Sequence, residues 1–139
     1  MDTRRSLAFR LTFAVALAGC FLLVASDMPG APQPQHGHRI AIRKMKNKWR
    51  AVHDDDSTKT AVHAKRGEHV SWKSYGTEMY FQFMSDSLFG TYTAVVKNGK
   101  SLDLTVSPNA PKGVYKYAVF CLPAKEFATG DSPPVIIID

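Results

Sequence analysis

Cys121 closes the apolar run "YKYAVFC", and Pro123 follows two residues later. A thiolate there, joined by imidazoles, would be a donor set suited to copper. Imidazole is carried by His36, His38, His53, His63 and His69. His36 and His38 flank Gly37 and offer two rings to Cu²⁺ or Zn²⁺, while Met79 and Met84 offer soft thioethers to Cu(I). The plainer chemistry competes at each position. Met79 alternates with Phe81 and Phe83 as a core residue does, and a His-Gly-His in a flexible segment is a weak, adventitious ligand. Alternation puts Cys121 on the face of Val119, Tyr117 and Tyr115, toward a core, where a thiol is a small packed hydrophobe.

Catalysis by Cys121 would need a base within hydrogen-bond reach and some exposure. His53, His63 and His69 are the available bases, and no spacing motif ties them to the thiol. The acidic run "HDDDST" (His53 to Thr58) lacks the spaced ligands and the glycine of a calcium loop and reads as a solvated turn. Gly-x-Ser-x-Gly, His-Glu-x-x-His and a Gly-rich phosphate loop are all absent. The expectation is a protein that is not an enzyme. Tyr75, Tyr80, Phe83 and Phe89 could form an aromatic binding surface, with half or more of them in the core.

These side chains must be positioned by strands. "RIAIRKM", "HVSWKS" and "MYFQF" alternate with period two, as half-buried strands do. In "TYTAVVKNGKSLDLTV" the pair Asn98-Gly99 separates two alternating runs, which predicts a type I′ hairpin. "GVYKYAVFC" follows a Pro-Lys-Gly turn. "VIIID" is apolar on both faces and belongs inside a sheet, not at its edge. "LPAKEFATGDSPP" has room for one short helical turn. About seven short strands punctuated by turns predict an all-β fold, a Greek-key β-sandwich.

The ends and the charge set the context. Residues 1–26 have a basic head (Arg4, Arg5, Arg10), an uncharged apolar core and a small-residue exit at Val24-Ala25-Ser26, the layout of a signal peptide. "LAGC" (Leu17 to Cys20) resembles a bacterial lipobox, which would make Cys20 a lipid-bearing N-terminus. The continuing apolar run from Phe21 to Ala25 favours plain cleavage. The location expected is periplasmic or secreted, with a lipoprotein anchored at Cys20 as the alternative. Residues 27–38, rich in Pro, Gly and Gln, read as a flexible tether, and residues 39–139 as the domain. The whole chain carries +6, and removing the leader leaves +4. Six positive charges lie in Arg39 to Arg50 with no acid among them. Without a nucleic-acid motif this stripe reads as a solvated face, so no nucleic-acid partner is expected, and a membrane only if Cys20 is lipidated.

The order of "RIAIRKM", "VHAKRGEHVSWKS" and "GVYKYAVFCLPA…PPVIIID" resembles that of the cupredoxins, the plastocyanin and azurin family. "G-E-x-V-x-W" (Gly67 to Trp72) is similar to that family's Gly-Asp-x-Val-x-Trp strand. The resemblance covers nearly all of residues 39–139 and implies a cupredoxin-like sandwich. A blue-copper site would also require two histidines, a cysteine and a methionine. The first histidine should fall in "KSYGTEMYFQF", which has none. The second should stand where Ala124 does, and neither histidine nor methionine follows Cys121. Of four ligands only Cys121 remains. The reading is therefore an exported, non-catalytic, cupredoxin-like binding or accessory module of the cell envelope, without a cofactor, whose partner is an envelope protein or small ligand. The alternative is a periplasmic copper-handling protein using His36, His38, Met79 and Met84, outside the family site.

Overall fold

Ile40 and Ile42 point one way and Ala41 and Arg43 the other, and this alternation forms β1 (Gly37–Met45). The structure is a computed structural model that describes residues 37–130 and 133–139. The leader, most of the tether and His36 lie outside the described residues. β1 turns through Lys46 and Asn47 into β2 (Lys48–His53), with Met45 opposite Lys48. Both turn residues have positive φ, 46° and 64°. This is the two-residue type I′ geometry, whose twist matches that of the strands it joins.

The other strands are β3 (Val62–Ala64), β4 (His69–Ser74), β5 (Met79–Phe83), β6 (Thr93–Val96), β7 (Ser101–Thr105), β8 (Gly113–Cys121), β9 (Glu126–Phe127) and β10 (Val135–Ile138). One sheet runs β2-β1-β4-β7. The other runs β3-β10-β8-β5-β6, with β9 beside the end of β8. The β1–β4 and β3–β10 pairs are parallel and the rest antiparallel. Strands adjacent in sequence thus pass repeatedly from one sheet to the other. The fold is an all-β two-sheet sandwich, and β10 lies inside its sheet, as its two apolar faces require.

Four expectations need correction. Ten strands form where about seven are expected. The additional ones are β2, whose buried Trp49, Ala51 and Val52 are hidden in sequence among basic residues, and the very short β3 and β9. The Asn98-Gly99 hairpin does not exist. β6 pairs with β5 and β7 with β4, in different sheets. Gly99 has φ +76° while Asn98 stays out of the positive region, and the Lys100 amide donates to the Lys97 carbonyl at 3.0 Å. Positive φ at the third residue alone marks a type II-like turn, here carrying the chain between sheets. The tether ends earlier than residue 38, since β1 already contains Gly37 and His38. Finally, Leu122–Lys125 is a tight turn leading into β9 instead of a helical one.

Burial follows the alternation. β4 buries Val70, Trp72 and Ser74, and β5 buries Met79, Phe81 and Phe83. Trp72 sits at the centre, with ring centroids 5.5 Å from Phe81, 5.6 Å from Phe89 and 5.7 Å from Tyr117, all edge-to-face. Such pairs add about 0.5–1.5 kcal/mol each beyond the area they bury. The Trp72 indole N–H and the Tyr117 hydroxyl are both buried without a well-formed hydrogen bond. Burial raises the Tyr117 phenol far above its usual range, with a partial offset from the neighbouring indole.

Candidate functional site

Cys121 is the last residue of β8, between Met79 of β5 and Glu126 of β9 in the sheet register. Its side chain is fully buried, as are those of Val119 and Tyr117 on the same face. Burial pushes the thiol up to about 11, a hydrogen bond with Thr77 opposes this, and the Glu126 charge adds to it. At neutral pH the group is a protonated thiol without access to solvent, so it is neither a nucleophile nor a ready thiolate donor. Met79, its cross-strand neighbour, is equally buried. The fold brings these two sulfur residues together inside the core.

The other candidates lie elsewhere, and only His38 and His53 among them share a cleft. Met84 is exposed, five residues beyond Met79 along an extended chain, so the two thioethers lie up to roughly 16 Å apart. His38 is half-buried, with Nε2 3.0 Å from Glu68 Oε2. Glu68 also accepts the Lys65 amide at 2.8 Å. Burial alone would raise this carboxyl, but the Lys65 amide and His38 outweigh it and hold its pKa below the ordinary glutamate value. His53 Nε2 donates to the Ala61 carbonyl at 2.8 Å. His63 Nδ1 is 3.3 Å from Asp139, and His69 Nδ1 is 3.0 Å from the Thr105 hydroxyl. His38 and His53 share a cleft of about 370 Å³ with Arg39, Asp54 and Asp55. Among the described residues, no three His, Cys, Asp or Glu side chains are grouped to hold a metal ion.

The aromatic candidates divide. Phe83 and Phe89 pack with Trp72, whereas Tyr75 and Tyr80 are exposed. Register gives Tyr80 partners that sequence reasoning missed. On the outer face of the second sheet Tyr80 stands opposite Val95 of β6 and Phe120 of β8, and Phe120 opposite Phe127 of β9. Val95 is 57% and Phe127 62% exposed. The Phe120 and Phe127 rings meet edge-to-face with centroids 5.0 Å apart. An apolar row four strands wide therefore faces outward. No periodicity in a single strand could have shown it, because it depends on which strands pair.

No protein-family model matches the chain, and no curated protein matches it. Among solved structures it is similar to a Met-to-Gln variant of amicyanin in its Cu(I) form, with 18% identity over 74% of this chain and 82% of that one, at a TM-score of 0.45. It is also similar to a reduced Cu(I) Pro-to-Gly variant of amicyanin, with 16% identity, 78% and 87% coverage and a TM-score of 0.47. A third is a purple cupredoxin from Nitrosopumilus maritimus, with 12% identity, 73% and 99% coverage and a TM-score of 0.46. At these values they bear on neither ligand nor site.

Proposed function

We propose that this is an exported, non-catalytic, cupredoxin-like binding module of the cell envelope that works without a blue-copper centre. The outward row Val95–Tyr80–Phe120–Phe127 carries the reading, because contiguous exposed apolar surface on a small domain marks a contact site. The buried, protonated Cys121 supports the second part, since the residue that would anchor a copper–thiolate bond is committed to packing. Export rests on the charged head and apolar core of residues 1–26. A photo-reactive residue placed at position 127 in cells should give a discrete adduct with one envelope protein. The same probe at Lys112 should not. Equal labelling from both positions, or none from position 127, would contradict a docking role for the row.

A second reading has one observation in its favour. His38 and His53 line one cleft, and each directs Nε2 at an oxygen acceptor, which leaves Nδ1 as the acceptor nitrogen of a neutral ring. Rings oriented in this way are typical of metal-ligating histidines. A Cu²⁺ or Zn²⁺ site without an intense visible band, lost in His53→Gln, would support copper handling, with His38 and His53 replacing Met79 and Met84 in the expected set.

A further inference from the structure

The outer face of the first sheet carries a different chemistry. Its register places Lys48 beside Met45, Arg50 beside Arg43, and Val52, Ala41, Lys73 and Ser101 in one row, with Arg39, Ser71 and Asp103 in the next. Asp103 is on the β7 edge, and Asp54 bonds through its backbone to Arg39. Both acids belong to the Arg39 end; at the other end Lys48 shares a second cleft with Glu126, while no acid is a register partner of Arg43 or Arg50. Arg43 and Arg50 are direct cross-strand partners, an arrangement that repels. The Nε atom of each is buried and has no hydrogen-bond partner among the described residues. The ion pairs formed among the described residues use other cations, Lys59 and Lys97 with two histidines.

Beside this pair lies a cleft of about 370 Å³ lined by Met45, Lys46, Lys48, Arg50 and Thr129. Three cations line it with no carboxylate among them, and the Thr129 hydroxyl donates to the Trp49 carbonyl at 3.2 Å. Paired guanidinium forks match the oxygens of a phosphoryl group in geometry and charge, and lysines add point charges. A single carboxylate would leave most of this charge uncompensated.

We propose that a phosphoryl group binds where this cleft meets the Arg43–Arg50 pair, with Arg50 in the lining and Arg43 beside it as the forked contacts and Lys46 and Lys48 as supporting charges. The phosphoryl group comes from a soluble phosphate ester or from an anionic phospholipid headgroup. The apolar row lies on the other sheet, and its last member, Phe127, lines a neighbouring cleft with Lys48 and Thr129.

The test is a titration of ¹⁵N-labelled protein with inorganic phosphate at constant ionic strength, following the arginine Nε–H resonances. The Arg43 and Arg50 signals should shift saturably with phosphate and stay in place with chloride. Arg43→Gln and Arg50→Gln should each weaken binding about tenfold, the scale of one charge-assisted contact. Lys112→Gln, at an exposed lysine outside this face, should leave binding unchanged. In a second arm, sedimentation with phosphatidylglycerol vesicles that is lost in the arginine variants assigns the headgroup source. Phosphate saturation without vesicle binding assigns a soluble ester. Absence of a saturable shift, arginine variants that bind like the parent, or an equal loss in Lys112→Gln would each overturn the proposal.

Discussion

Asn98→Gly separates the turn that forms from the hairpin that the local sequence suggests. In the structure Asn98 has a tertiary role, since its Oδ1 accepts the Gly76 amide at 3.0 Å and ties the sheet-to-sheet crossover to the Tyr75–Thr77 loop. The contact is exposed, so water replaces part of it and the loss falls toward the low end of about 0.5–1.5 kcal/mol. The glycine adds backbone freedom to the unfolded chain worth about 0.5–1 kcal/mol. Together the substitution should destabilise by about 1–2 kcal/mol, or lower the melting temperature by roughly 5–15 °C for a domain of this size. Urea denaturation followed by tryptophan fluorescence measures it, because Trp72 is fully buried in the core. A type I′ hairpin at the same place would accept glycine at its first position, where φ is positive, about as well as asparagine. An unchanged or raised midpoint would therefore refute the crossover geometry. The mirror experiment is Lys46→Gly at the turn that is type I′. Relief of the left-handed backbone, about 1–2 kcal/mol, exceeds the glycine entropy, so this variant should be slightly more stable than the parent.

Two further predictions concern titration. The Glu68 carboxyl has a depressed pKa in the fold, so its contribution is present above the unfolded glutamate pKa and is lost as pH falls through the lower folded value. Glu68→Gln should flatten the acid limb of a stability-versus-pH curve, and an unaltered limb would show that the Lys65 and His38 contacts are not maintained. Cys121 behaves in the opposite sense. Its folded pKa of about 11 lies above the unfolded value, so stability should decline as pH rises from the ordinary thiol range toward 11. At pH 8 the native thiol should resist maleimide labelling and react promptly in denaturant, and rapid labelling of the native protein would mean that the end of β8 is open.

Much of the sandwich was legible because burial writes a period of two into a strand. Val70 with Trp72, Met79 with Phe81 and Phe83, and Tyr117 with Val119 and Cys121 all point inward as their spacing indicates. β2 escaped notice because Trp49, Ala51 and Val52 include neighbours buried on opposite faces, flanked by Lys48 and Arg50. The turn at Lys46-Asn47 escaped because it lacks the glycine that advertises a type I′ turn. Asn98-Gly99 misled for a related reason. A dipeptide specifies local dihedrals, while a hairpin also requires its two strands to pair, which only the whole topology decides. The same limit governs function. The Val95–Tyr80–Phe120–Phe127 row and the Arg43–Arg50 pair are made by register between strands, so no single stretch of sequence contains either one. The committed state of Cys121, by contrast, could be read from alternation alone.

The central claim, that the thiol belongs to the core and not to a coloured metal centre, is tested most directly by adding Cu²⁺ to the folded protein and recording its visible spectrum beside that of Cys121→Ala. The account predicts no intense thiolate-to-copper band in either sample, identical metal uptake, and a stability loss in the variant of about 1–2 kcal/mol from the small buried group removed. A strong visible band present in the parent and absent in Cys121→Ala would contradict it, and would mean that an imidazole reaches the sulfur.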